Sequence, residues 1–229
     1  MHAAWKTQEW EVTPHLLRTW RRYRSSSPRE AFPALLDRLT RLRVDYPESL
    51  LGPQLALLQA TAERLDEVFA GRVDPLTLLF ADQNQDAAGE LYRSTFLARH
   101  FNKLVVAAVV DVIKASSLPA DYTVQVLEIG AGTGGTASFV LPALRDLGVR
   151  VRYCYTDLSS SLLARARKNF SRYPFVEYRV LDVEQPCEPQ GFAPESFDIV
   201  LATNVLHATS DLDTVMKAVR ELMLPGGRL

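Results

Sequence analysis

The spacing of apolar residues changes rhythm near the middle of the chain. In the first half it is helical. Leu16, Leu17 and Trp20 line one side of residues 14–23 (PHLLRTWRRY), and Leu35, Leu36, Leu39 and Leu42 repeat at i, i+1, i+4 and i+7. Between them, Ser25-Ser26-Ser27-Pro28 ends one stretch and caps the next, because a serine hydroxyl accepts from an orphan helical N–H and proline fits a first turn. Leu55, Leu58, Ala62, Leu65, Val68 and Phe69 predict a third helix that Gly71 stops. Asp74-Pro75 opens a short helix over 76–80, and 86–114 reads as one or two more. From about residue 123, short apolar runs alternate with helical stripes. They predict strands at 124–129 (VQVLEI), 151–156 (VRYCYT), 176–181 (VEYRVL) and 197–203 (FDIVLAT), with helices at 136–147, 159–170 and 211–223. Strands joined through helices by short connections imply right-handed crossovers and a parallel sheet. The fold class is α/β: helices over 1–118, then a parallel-sheet core over 119–229.

Charge and composition remove several function classes. Lys plus Arg number 26 against 27 Asp plus Glu, so the chain lacks the cationic excess that a dedicated nucleic-acid binder needs. Arg18, Arg21, Arg22 and Arg24 form a basic run that reads as a solvated face rather than a docking surface. No apolar run approaches bilayer length, and the N-terminus (MHAAWK) has no charged-then-apolar export pattern, so no membrane partner is expected. Cys154 and Cys187 are too few for a disulfide scaffold and have no zinc spacing, which fits a reduced, cytoplasmic chain.

Ligands of open parallel sheets bind beyond the carboxyl ends of the strands, where helix N-termini also point. The residues ending the predicted strands are therefore one candidate site: Glu128 and the run 130–135 (GAGTGG), then Asp157, then Asp182 and Val183, then 203–207 (TNVLH). Gly130, Gly132 and Gly135 satisfy the dinucleotide pattern G-x-G-x-x-G, while Gly130, Gly132 and Gly134 satisfy G-x-G-x-G. The acids separate these readings. A pyrophosphate would be repelled by carboxylates around the loop, which disfavours a nicotinamide-dependent oxidoreductase. A cation would be welcomed. S-adenosyl-L-methionine carries a sulfonium and an amino group; Asp157 can accept from its ribose, and Asp182 can meet the adenine amino group with Val183 against the ring. His207 follows the fourth strand, on the loop facing the reactive methyl. Imidazole is the side chain best suited to proton transfer near neutral pH, so His207 is the candidate general base. His2 and His15 lie in a poorly patterned region, and His100 reads as structural or exposed.

Residues 126–136 (VLEIGAGTGGT), with Asp157, Asp182 and 204–209 (NVLHAT), resemble the class I S-adenosylmethionine-dependent methyltransferases, in particular the methyltransferase domains of modular polyketide synthases. Residues 73–80 (VDPLTLLF), 91–93 (LYR) and 98–102 (ARHFN) are similar to the helical lid that leads into those domains, and residues 1–60 match as its more variable outer part. The resemblance covers roughly 60–229. It implies a Rossmann-like core behind a helical lid, donor contacts from Glu128, Gly130, Gly132, Gly134, Asp157, Leu158, Asp182, Val183 and Asn204, and His207 as catalytic base. It also implies that Tyr92 lines the active site. Asn102 is a further candidate, its plainer role being to brace the lid against the core. The implied partner is an acyl carrier protein holding its acyl chain on a phosphopantetheine arm, beside neighbouring synthase domains. The implied reaction is methylation of the α-carbon of a β-ketoacyl or malonyl-type thioester. Oxygen methylation of a β-hydroxyl, and a non-catalytic scaffold, are the alternatives. No compact His and carboxylate cluster is present, so no metal is expected.

The chain reaches residues 226–229 (GGRL) where a fifth strand would start. The pattern therefore predicts four strands with an unpaired apolar edge, the C-terminal strands of the resembled core being absent. In the resembled family a glutamate at the end of that fifth strand orients the histidine, and no residue of this chain takes that place. The chain is accordingly expected to be part of a longer polypeptide and to lack full activity alone.

Overall fold

The computed structural model of the chain describes residues 37, 38, 41, 52–74 and 85–229. It divides into two compact units, Met1–Arg72 and Val73–Leu229. The helices expected at 14–23 and 76–80 lie outside the described residues, as do His2, His15, Arg18, Arg21, Arg22 and Arg24. Within the leucine-striped stretch, Asp37, Arg38 and Arg41 are helical, with Arg41 and Asp37 paired at 2.7 Å.

In the first unit the single helix expected to end at Gly71 is two: α1 (Gly52–Glu63) and α2 (Leu65–Phe69). The break is Arg64, whose backbone leaves the helical region (φ −120°, ψ 14°) while its side chain pairs with Glu67 at 2.6 Å. Gly71 follows with φ +67°, the left-handed conformation that closes a helix.

Among the described residues, the helices of the second unit that precede the sheet are α3 (Gln85–Arg93) and the 20-residue α4 (Phe96–Ala115), whose N-terminal N–H of Ala98 is capped by the Thr95 hydroxyl. Strands and helices then alternate as β1 (Thr123–Glu128), α5 (Ala137–Asp146), β2 (Arg150–Asp157), α6 (Ser160–Asn169), β3 (Val176–Val180), β4 (Phe197–Leu201), α7 (Leu212–Leu222) and β5 (Met223–Arg228). The sheet is parallel throughout, in the order β3-β2-β1-β4-β5. The reversal of strand order falls between β1 and β4, where open sheets of this kind bind ligands. This is a Rossmann-like doubly wound parallel sheet, preceded along the chain by helices.

Alternation along the strands explains the layering. Val124 and Val126 of β1 join Tyr153 and Tyr155 of β2 in one apolar cluster, covered by Val109 and Ile113 of α4, Val140, Leu141 and Leu144 of α5, and Leu163 and Ala166 of α6. Leu127 and Cys154 face the opposite way, against Val215, Val219 and Leu222 of α7. Helices thus cover both faces, as parallel strands require.

The four-strand expectation is corrected. Residues 223–228 (MLPGGR) form a fifth strand beside β4, pairing Phe197 with Met223 and Ile199 with Arg228 across a register shift. Pro225 and the two glycines are tolerated because they fall in a bulge, residues 224–227 standing opposite Asp198 alone and so outside the regular ladder. The fourth strand is also shorter than expected, ending at Leu201, because the backbone turns at Asn204 into the left-handed region (φ +56°).

Candidate functional site

The loop after β1 is folded by its neighbours. Ile129 N–H donates to the Leu201 carbonyl of β4 (2.8 Å), and Ala131 N–H to the Thr156 carbonyl of β2 (2.9 Å). Gly130, Gly132 and Gly134 all have positive φ (59°, 58° and 79°). At Gly130 a Cβ would stand 2.3 Å from a Val205 methyl, so the loop after β4 is packed directly on this turn. Gly132 differs. A Cβ there would meet only the Gly130 carbonyl oxygen, at 3.8 Å, so this stretch of backbone faces open space in which a ligand can approach. Both polar groups of Gly132 are fixed: its N–H donates to Asp157 Oδ2 (2.8 Å), and its carbonyl accepts from the Tyr155 hydroxyl (2.9 Å).

Asp157 ends β2 largely buried, and its other oxygen accepts from Ser159 N–H (2.8 Å). Each carboxylate oxygen keeps a further lone pair for a hydroxyl donor. Leu181 N–H donates to the Asp157 carbonyl (3.4 Å), which sets the Asp182 loop beside that strand end. Asp182 Oδ1 accepts from Glu184 N–H (3.0 Å), and Val183 is buried.

Glu128 is sealed beneath the loop rather than displayed on its open rim. It is 1% exposed, accepts from the Tyr153 hydroxyl (2.8 Å) and from the N–H of Ala137 at the start of α5. Burial pushes its carboxyl up to about 8, against the opposing pull of those donors, so it is largely neutral at pH 7. Tyr153 is in turn held protonated by burial and by Glu128. Leu158 is 66% exposed beside Asp157, and Asn204 is exposed at its left-handed turn.

His207 sits exposed in the short 3₁₀ helix Leu206–Ala208 that follows β4. Its loop is held at one end by Val205 against Gly130 and at the other by Ser210, whose N–H and hydroxyl both donate to Glu184. Tyr92 is exposed at the end of α3, and its carbonyl oxygen would lie 2.8 Å from a Cβ at Gly135, so α3 rests on the glycine loop. Asn102 fixes that contact: its Nδ2 donates to the Tyr92 carbonyl (3.0 Å) and its Oδ1 accepts from Thr136 Oγ1 (3.0 Å). His100 lies elsewhere, on the exposed face of α4 beside the Phe96 and Phe101 rings.

Three residues that pattern reading passes over shape the site: Tyr155 and Glu184, described above, and Gln190. The Gln190 amide accepts from Asp182 N–H and donates to the Asp182 carbonyl, both at 2.8 Å, and reaches the Pro186 carbonyl at 3.0 Å. Among the described residues, no group of three or more His, Cys, Asp or Glu is placed to hold a metal ion, and no helix is long and apolar enough to cross a membrane.

These groups suit S-adenosyl-L-methionine: an open glycine turn, acceptor lone pairs at Asp157 for ribose hydroxyls, and an acid with a buried apolar neighbour at 182 and 183. Comparison with known proteins bears on the same point. Residues 127–229 match a family model described as a methyltransferase domain. The non-reducing polyketide synthase mapC of Penicillium brevicompactum is 37% identical over 194 residues, covering 83% of this chain and 8% of the synthase. The crystal structure of the CurJ carbon methyltransferase superposes with a TM-score of 0.77 at 34% identity, over 83% of this chain and 49% of that one. The trans-methyltransferase CalH, solved in complex with SAH, superposes at 0.67 and 30% identity, over 84% and 51%. The chain thus spans under a tenth of the synthase and about half of the solved domains. From the glycine turn to the His207 loop, sequence and architecture agree: the chain has the fold of the class I S-adenosylmethionine-dependent methyltransferases, residues 127–229 match a methyltransferase domain, and polyketide synthase carbon-methyltransferase domains are among its homologues.

Proposed function

We propose that this chain methylates the α-carbon of a β-ketoacyl or malonyl-type thioester carried on the phosphopantetheine arm of an acyl carrier protein, within a larger synthase. The observation that carries the reading is the anchoring of the His207 loop on the glycine turn through Val205 and Gly130. It supports the reading because Val205, which packs on that turn, stands two positions before the exposed His207. When bound, the donor supplies an electrophilic methyl on sulfur. His207 accepts the α-proton on an imidazole nitrogen, leaving the electron pair on the substrate's carbon and carbonyl oxygen. That carbon forms the new bond to the methyl as the carbon–sulfur bond breaks. Gly132 and Asp157 hold the donor, Asp182 and Val183 orient its adenine, and Tyr92 faces the acceptor from α3, which helps exclude water.

The test is methyl transfer to β-ketoacyl and β-hydroxyacyl carrier-protein thioesters in parallel, with products weighed by mass spectrometry. Methylated β-ketoacyl product is expected, and His207→Ala should slow its formation by about 10²-fold or more. Methylation of the hydroxyl alone would replace the carbon reading with an oxygen methyltransferase. Donor binding with no transfer to either substrate, assayed with the chain inside a larger synthase, would favour a scaffold.

A further inference from the structure

The Asp182 loop and the His207 loop belong to different strands, yet one chain of hydrogen bonds joins them. Asp182 Oδ1 accepts from the backbone N–H of Glu184. The Glu184 carboxylate then spends both oxygens on one residue: Oε1 accepts from Ser210 N–H at 3.2 Å and Oε2 from the Ser210 hydroxyl. Ser210 stands three positions after His207 and immediately before Asp211, whose carboxylate caps α7 through Asp213 N–H. Between His207 and Ser210 the backbone is fixed by the turn bonds Ala208 N–H to Val205 and Thr209 N–H to Leu206, and the Thr209 hydroxyl also donates to Leu206. The far end of the segment rests on Gly130. These bonds connect the Asp182 loop to the segment that carries the imidazole's own short helix.

Global stability is a poor reason for this link. Glu184 is only partly buried and Ser210 is exposed, and solvated hydrogen bonds add little to folding while costing the freedom of a long side chain. What two-point attachment does supply is orientation.

We propose that Glu184 is a positioning residue that couples occupation of the donor site at Asp182 to the setting of the His207 loop, so that the base is aligned when the methyl donor is in place. This rests on the reading of Asp182 as a donor contact and His207 as the base. Neither Glu184 nor Ser210 need touch donor or acceptor.

The experiment uses the 229-residue chain with S-adenosylhomocysteine as probe, reading affinity by calorimetry and the His207 imidazole signals by NMR. In the wild type, saturation with the probe is expected to shift those signals. Glu184→Ala and Ser210→Ala should keep probe affinity within about threefold and lose more than half of the shift, while Ser210→Thr, which retains the hydroxyl, should restore it. An equal shift in wild type and both alanine variants would overturn the coupling, as would tight binding with no His207 response in the wild type. Failure of the probe to bind the wild type would instead overturn the donor-site reading, and the coupling with it. A role in fold stability alone would lower the melting temperature of both variants while leaving the shift at saturation intact, which also overturns the proposal.

Discussion

Glu128 illustrates how one side chain can carry a charge in the sequence and not in the fold. Its carboxyl is shut between β1, β2 and the start of α5, with a tyrosine hydroxyl and one backbone N–H for company. Unfolded, it releases its proton near 4.5; folded, it keeps that proton up to about 8. Between those values the folded state binds more protons, so stability falls as pH rises, by about 1.4 kcal/mol per unit for a full proton, and levels off above about 8. Glu128→Gln keeps the shape and removes the titration. Urea unfolding at pH 5, 6.5 and 8 should show the variant gaining on the wild type at each step upward. A difference that stays constant across the three pH values would mean that the carboxyl is ionised in the fold.

At the scale of elements, the functional pieces are loops, and each is held by a bond that periodicity does not register. The loop between β3 and β4 depends on Gln190, in the 3₁₀ helix Glu188–Gln190, and on Arg179, which donates to the carbonyls of Gln190 and Gly191 while lying 3.9 Å from the Phe192 ring centroid. Gln190→Ala removes the amide that holds Asp182 N–H and C=O. Calorimetry should show S-adenosylhomocysteine binding weakened by about tenfold, matching roughly one to two lost hydrogen bonds, with the fold retained. Strands β1 to β4 and helices α5 to α7 were legible in the sequence because alternation and helical stripes record which face each residue buries. The fifth strand was not, since Pro225-Gly226-Gly227 also spells a helix stop and fits a strand here through a bulge that periodicity does not record. The acids at 157 and 182 stood out by their place after apolar runs. Gln190 and the Glu184–Ser210 link did not: they join positions 8 and 26 residues apart through side chains in irregular backbone.

Across the whole second unit, the two ends of the parallel sheet are held by different means. At the carboxyl ends, bonds run between loops and shape the proposed donor site. At the amino ends, Asp198 of β4 ties together what precedes and begins β1: its Oδ1 accepts from the Tyr122 hydroxyl (2.7 Å) and its Oδ2 from Gln125 N–H (2.8 Å). These bonds close the β1–β4 seam where the strand ladder has not yet begun, since pairing starts only at Val126 with Ile199. Tyr122 is kept protonated by that same bond. Asp198→Ala would strand a half-buried N–H and a phenol, a loss of about 1–3 kcal/mol. In a chain of this size each kcal/mol lowers the melting point by about 2–4 °C. Because the carboxyl-end loops share no bond with Asp198, affinity for S-adenosylhomocysteine should stay within twofold of wild type, opposite to the behaviour of Gln190→Ala. Equal losses of affinity in both variants would show that the two ends of the sheet are not independent, and that the donor site draws its geometry from the strand seam rather than from the loops above it.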